Sequence, residues 1–282
     1  MQFICFGSGS SGNCYYLESR GEAILIDLGI GIRAFKKHMR DYGLTMPKIK
    51  AIIVTHDHTD HIKAVGPLSI EFRIPVYASM PVHEGIVRNR FMTKKIPEDL
   101  QRCTVLNTPF EVGNFRITPF AVPHDATDNN GYFIELIEPE ETNATDLFAP
   151  QGGDGRPTFC LITDAGQFTE TMIPYVQRAR YLVIEANYDR ELLDNGPYPL
   201  YLRKRISGGR GHMDNRLTAE ALKQHLTPET RRVWLCHLSA ENNNPETARR
   251  TVAEAIDALP FAERPRLDGL RRTCPSGLER LV

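Results

Sequence analysis

The stretch Ala51-Ile52-Ile53-Val54-Thr55-His56-Asp57-His58-Thr59-Asp60-His61 runs from an apolar, strand-like segment straight into three histidines and a spaced aspartate. Imidazole and carboxylate suit zinc, manganese or iron, and a tight loop after a rigid strand aims several such groups at one point. A solvated turn with incidental histidines is the alternative. The run holds three of only nine histidines in the chain, which favours the metal reading.

Three further apolar runs end in residues of the same kind. His124 follows Phe120-Ala121-Val122-Pro123, Asp164 follows Cys160-Leu161-Ile162-Thr163, and His237 follows Val233-Trp234-Leu235-Cys236. Each alone reads as a structural residue or a cap; their recurrence points to one shared site. Between the strand-like runs lie helical patterns at 32–42, 60–72, 169–179, 218–226 and 245–259, the last with Asn244 as cap and Pro245 at its first position. This mixture predicts an α/β chain of packed sheets flanked by helices. Residues 138–157, rich in acidic residues, Asn, Gly and Pro, read as an exposed loop. They set a seam near residue 150, giving one domain, 1–282, made of two halves, 1–150 and 151–282.

At 282 residues, 41% hydrophobic and 24% charged, the chain is long enough to bury a substantial core. No run reaches the roughly 20 apolar residues that span a bilayer, and Met1-Gln2-Phe3-Ile4-Cys5 lacks a signal-peptide pattern, so a cytoplasmic protein with no membrane partner is expected. The six cysteines are scattered without a close pair, which suits a reducing compartment. A net charge of -1 provides no global pull on nucleic acid, so a polyanion would need a local basic cluster.

The order His-x-His-x-Asp-His, histidine, aspartate, histidine resembles the dinuclear members of the metallo-β-lactamase superfamily over nearly the full chain. That resemblance implies a four-layer αββα sandwich holding two divalent metal ions, whether zinc, manganese or iron. It places His56, His58 and His124 on one ion, Asp60, His61 and His237 on the other, and Asp164 between them. Asp27, in Ile24-Leu25-Ile26-Asp27-Leu28-Gly29, matches an early aspartate that orients the histidine loop; an ordinary strand-end cap reads equally well. Once Asp60, Asp164 and a bridging hydroxide are counted against two divalent ions, about one positive charge remains. An anionic phosphodiester, attacked in line by the hydroxide, fits that charge.

Leu182-Val183-Ile184-Glu185-Ala186-Asn187 and Gly211-His212-Met213-Asp214-Asn215 resemble nuclease motifs. With Asp60 they supply the implied catalytic residues, Glu185 and His212 acting as a coupled pair with the imidazole as general acid; a surface position for His212 is the alternative. Phe6-Gly7-Ser8-Gly9-Ser10-Ser11-Gly12-Asn13-Cys14 and His237-Leu238-Ser239-Ala240-Glu241-Asn242-Asn243 resemble the WalJ/YycJ-like exonuclease branch, bacterial double-stranded-DNA nucleases linked to repair. Met213-Asp214 departs from that branch, which has leucine and serine there. The Gly/Ser run itself reads as a hairpin turn or as a phosphate cradle.

Only 47 residues separate Asp164 from His212, too few for the domain that β-CASP nucleases insert, and 39 separate His124 from Asp164, too few for the long arm of tRNA-maturing relatives. Arg203, Lys204, Arg205, Arg210 and Asn215, with Tyr198 and Tyr201 nearby, form the expected substrate-binding loop, or else a merely solvated one. Arg88-Asn89-Arg90 and Lys94-Lys95 offer a second basic, phosphate-binding edge, or else a merely polar helix face. The expected function is hydrolysis of DNA phosphodiesters by a metal-dependent exonuclease in repair, with nucleic acid and repair proteins as partners. The alternatives are hydrolysis of a small ester, thioester or lactone, and a DNA-repair scaffold with structural metals.

Overall fold

The computed structural model describes residues 1–137 and 157–281. Residues 138–156, most of the expected exposed loop, lie outside them. Among the described residues the strands are β1 Gln2–Gly7, β2 Cys14–Ser19, β3 Glu22–Ile26, β4 Ile49–Ile53, β5 Val76–Ser79, β6 Gln101–Thr104, β7 Phe110–Val112, β8 Phe115–Ala121, β9 Asn130–Leu136, β10 Phe159–Ile162, β11 Tyr181–Glu185, β12 Arg232–Cys236, β13 Arg266–Gly269 and β14 Glu279–Arg280. The helices are α1 Ile32–Asp41, α2 Thr59–Ile62, α3 Val65–Phe72, α4 Met80–Arg88, α5 Ile173–Arg178, α6 Arg190–Asn195, α7 Leu200–Ile206, α8 Asn215–His225 and α9 Pro245–Asp257.

Side chains alternate across a strand, and here both faces of the central strands are apolar, so both must be covered. Ile4 and Phe6 of β1, Leu25 of β3 and Ile52 of β4 pack outward with Phe35 and Met39 of α1 and Leu68 of α3. Their neighbours Phe3, Cys5, Ile24, Ile26, Ala51 and Ile53 point inward against Phe159, Leu161, Val183 and Trp234 of the other sheet. Cys160, Ile162, Leu182, Ile184, Val233 and Leu235 turn outward again, under α5, α8 and α9. Helix, sheet, sheet, helix: this is the expected αββα sandwich.

Each sheet has seven strands, ordered β14-β1-β2-β3-β4-β5-β6 and β13-β12-β11-β10-β9-β8-β7. From β3 to β6, and from β10 to β13, neighbouring strands run parallel, so their carboxyl ends share one edge. The chain changes sheet between Thr104 and Phe110, well before residue 150, and β14 returns to pair with β1. No helix of the described residues is long and apolar enough to cross a membrane.

Two expected helices are broken, each by a proline. The helix expected over 60–72 splits into α2 and α3, so that Pro67 falls in the first turn of α3 instead of clashing with a preceding carbonyl. In the segment expected to be helical over 169–179, Glu170–Met172 is a 3-10 turn and α5 starts at Ile173, with Pro174 in its first turn. Helix α8 begins three residues earlier than expected, because Asp214 Oδ1 caps it by accepting the Leu217 N–H at 2.8 Å. Arg203-Lys204-Arg205 lies in helix α7, where a loop was expected.

Candidate metal centre

The parallel strands deliver the site. Asp27 follows β3, the histidine loop follows β4, Asp164 follows β10, Glu185 ends β11 and His237 follows β12. Three of these residues leave their strands in the left-handed region: Asp27 at φ 57, Asp164 at φ 52 and His237 at φ 52. Such a conformation costs of order 1–3 kcal/mol for a residue with a Cβ, and it turns each side chain off the strand axis into the centre. The histidine loop rests on Gly29, where an added Cβ would sit 1.5 Å from the Asp60 carbonyl oxygen. Only glycine admits that approach.

The ligand-type atoms converge in overlapping sets. His56, His58 and His124 form one, Asp60, His61 and His237 another, and Asp164 joins His56 and His61 in a third, each set with its atoms within 4.8 Å of one another. His56 Nε2 and His237 Nε2 are buried with no hydrogen-bond partner. Burying a polar atom unpaired is costly, and two such atoms facing carboxylates fit divalent cations. The nitrogen and carboxylate donor set suits zinc, manganese or iron.

Buried carboxylates orient these rings. His61 Nδ1–H donates to Asp27 Oδ2 at 2.7 Å. Thr55 Oγ1 donates to the same Oδ2 at 2.9 Å and lies 3.0 Å from His56 Nδ1, so Asp27 aligns His61 directly and His56 through a hydroxyl. His124 Nδ1–H donates to the Gly211 carbonyl at 2.9 Å, leaving Nε2 toward the centre. Glu185 serves two rings: its Oε1 accepts from His212 Nδ1 at 2.8 Å and from His237 Nδ1 at 3.0 Å, while Oε2 accepts the Ala165 and Met213 N–H groups at 2.9 and 3.1 Å. His212 is therefore no free surface residue; Nδ1 is committed, and the ring lines a cleft of about 200 Å³.

Burial pushes the imidazoles of His56 and His124 below their ordinary value, which favours the neutral, ligating form. Burial would also depress His212, but the Glu185 charge and hydrogen bond outweigh it and hold that imidazole above its usual value. Burial would raise the Asp164 carboxyl, yet the surrounding His237 and His61 hold it well below the carboxylate range.

The basic residues separate. Arg205 lines the cleft beside His212 and a second one beside the histidine loop, and its Nε donates to Asp125 Oδ2 at 2.5 Å. Arg210 Nε donates to the His124 carbonyl at 3.1 Å. Lys204 is exposed and lines neither cleft. Two residues of the expected substrate-binding set are engaged elsewhere: Arg203 turns its guanidinium onto the Asp194 carbonyl, and Asn215 is buried with Nδ2 donating to Asn243 Oδ1 at 3.1 Å.

The residues 7–12 form the turn between antiparallel β1 and β2, and Ser8 Oγ accepts the His237 N–H at 2.9 Å. Two participants escaped the sequence reading. Asp125 Oδ1 lies 3.4 Å from His124 Nε2, and Asn13 Nδ2 lies 2.8 Å from His61 Nε2. Adjacency to His124 marked the first; the second lies within the Phe6 to Cys14 motif, which reads as a turn or a phosphate cradle.

Comparison with known proteins follows the same lines. Exodeoxyribonuclease YycJ of Bacillus anthracis is 28% identical over 261 residues, 93% of this chain and 91% of that one. Exodeoxyribonuclease WalJ of Streptococcus pneumoniae is 28% identical over 255 residues, 90% and 88% of the two chains. The zinc-bound PqqB of Methylobacterium extorquens superposes over 100% of both chains with a TM-score of 0.72 at 14% identity, a likeness of fold. The profile of the beta-lactamase superfamily domain matches residues 22–238. With its sandwich and its converging histidines and aspartates, the chain belongs to the metallo-β-lactamase superfamily.

Proposed function

We propose that the protein is a metal-dependent nuclease that hydrolyses DNA phosphodiester bonds, working as an exonuclease in repair. The observation that carries this reading is the Glu185–His212 pair at 2.8 Å, set at the wall of a cleft that His237 also lines. Hydrolysis of a phosphodiester must protonate a poor leaving oxygen, and an imidazole held above its usual value beside a carboxylate suits that task. The near full-length similarity to two exodeoxyribonucleases supports the same substrate class.

When bound, two divalent ions supply Lewis acidity and lower the pKa of a coordinated water. His56, His58 and His124 would hold one, Asp60, His61 and His237 the other, and Asp164 would lie between them. His212 keeps Nδ1 on Glu185 and offers Nε2 to the leaving oxygen. Arg205 provides a cation for the phosphate where the two clefts meet. The free state of all six cysteines fits a reducing, cytoplasmic setting.

End-labelled single- and double-stranded DNA and RNA, alongside thioester and lactone substrates, test this with zinc or manganese restored to chelator-treated protein. DNA cleavage is expected, and it should vanish in His58→Ala and in Asp164→Ala while both variants remain folded. Full activity in either would overturn the assignment. His212→Ala is expected to lower turnover about 10²–10⁴-fold with metal content retained.

A further inference from the structure

A second cleft, of about 510 Å³, opens beside the histidine loop. His58 and Asp60 bound it on one side, Arg90 and Phe91 on the other, and Arg205 separates it from the His212 cleft. Phe91 is 81% exposed, the highest value for any large apolar side chain among the described residues. It makes no core contact, so packing does not account for a phenyl ring here.

Its position is nevertheless held. The Phe91 N–H donates to Asn89 Oδ1 at 3.0 Å, and Asn89 Nδ2 donates to the Asp57 carbonyl at 3.1 Å and to Thr59 Oγ1 at 3.4 Å. Lys95 Nζ closes the same turn on the Ile86 and Asn89 carbonyls at 3.0 and 2.5 Å. The Phe91 backbone is thus tied through one asparagine to the segment that carries the candidate ligands. Of the second basic edge read from the sequence, Lys95 is structural and Arg88 pairs with Glu84 at 3.4 Å. Arg90 has no acidic partner among the described residues, and it lines the cleft.

We infer that Phe91 is a stacking platform for an unpaired nucleobase of the substrate strand, with Arg90 gripping a phosphate that flanks it. This rests on the nuclease reading above and adds to it: the protein would engage a frayed or single-stranded segment, because a base inside a duplex has both faces covered by its stacked neighbours. Every base has a π-face, so the contact is indifferent to sequence.

Binding of a fluorescein-labelled, phosphorothioate-linked ten-residue oligodeoxythymidylate to the metal-loaded protein tests it, with the equivalent abasic strand as control. Phe91→Ala should weaken the thymidylate strand about ten-fold and leave the abasic strand unchanged; Phe91→Trp should restore wild-type affinity. On cleavable DNA, KM should rise in Phe91→Ala with kcat unchanged. Equal affinity of wild type and Phe91→Ala for the thymidylate strand, or an equal loss on both strands, would overturn the stacking role while leaving the nuclease reading intact. A wild-type protein that neither binds nor cleaves DNA would overturn the nuclease reading itself, and the platform with it.

Discussion

Glu185 joins two tasks that the sequence presents as separate. By accepting from both His212 and His237, it couples the candidate proton donor to a candidate metal ligand. Glu185→Gln keeps the shape but replaces an acceptor of two N–H groups with an amide that competes with them. Metal affinity, measured by titration calorimetry on chelated protein, should fall about 10–100-fold, and turnover at saturating metal should fall as well. Loss of turnover with metal affinity intact would refute the double role. Sharing of this kind could not be read from residue order, because it depends on strand register: β11 and β12 run parallel with Glu185 opposite Cys236, one residue before His237. The strand-end ligands, by contrast, were legible one at a time, since an apolar run ending in His or Asp is a local pattern.

At the scale of elements, the histidine loop depends on what lies beneath it. Gly29→Ala would drive a methyl into the Asp60 carbonyl, so the loop or the Asp27 turn must shift. We expect destabilisation of about 1–3 kcal/mol in urea unfolding, together with lost metal retention; an unaltered midpoint would show that the loop is compliant. Helix α4 provides a pH-dependent test. His83 is buried there, its Nε2–H donating to the Arg102 carbonyl at 3.2 Å, and burial lowers its imidazole below the ordinary value. A depressed histidine stabilises the fold above the unfolded value of about 6.5, and that stability is lost as pH falls toward the folded value. His83→Gln should therefore flatten the decline of Tm as pH falls below about 6.5, and parallel curves would exclude His83 as a contributor. Helix α4 was legible only as an alternative for its basic end, and α7, whose cluster of three basic residues reads as loop when taken alone, was not anticipated. Strand interiors were legible as short apolar runs ending in polar residues, whereas short helices were set by packing and by Pro67 and Pro174.

For the whole molecule, three apolar layers carry the fold and the metal centre sits at their edge. Layers of that extent do not need an ion to persist. Chelation should abolish cleavage yet leave the far-UV circular dichroism and a cooperative melt in place, with Tm lower because bound metal stabilises only the native state. Collapse of secondary structure on chelation would instead make the ions structural.

Among the described residues the chain changes sheet once before β14, and that crossing has a consequence for biosynthesis. His56, His58, Asp60 and His61 emerge from the ribosome early, whereas Asp164 and His237 follow strands of the second sheet and emerge only past the middle of the chain, His237 last. A nascent or prematurely terminated chain can therefore display half of the ligands but cannot assemble the full set. A chain that stops before His237 would keep His56, His58 and His124 as one candidate set but lack a member of the other.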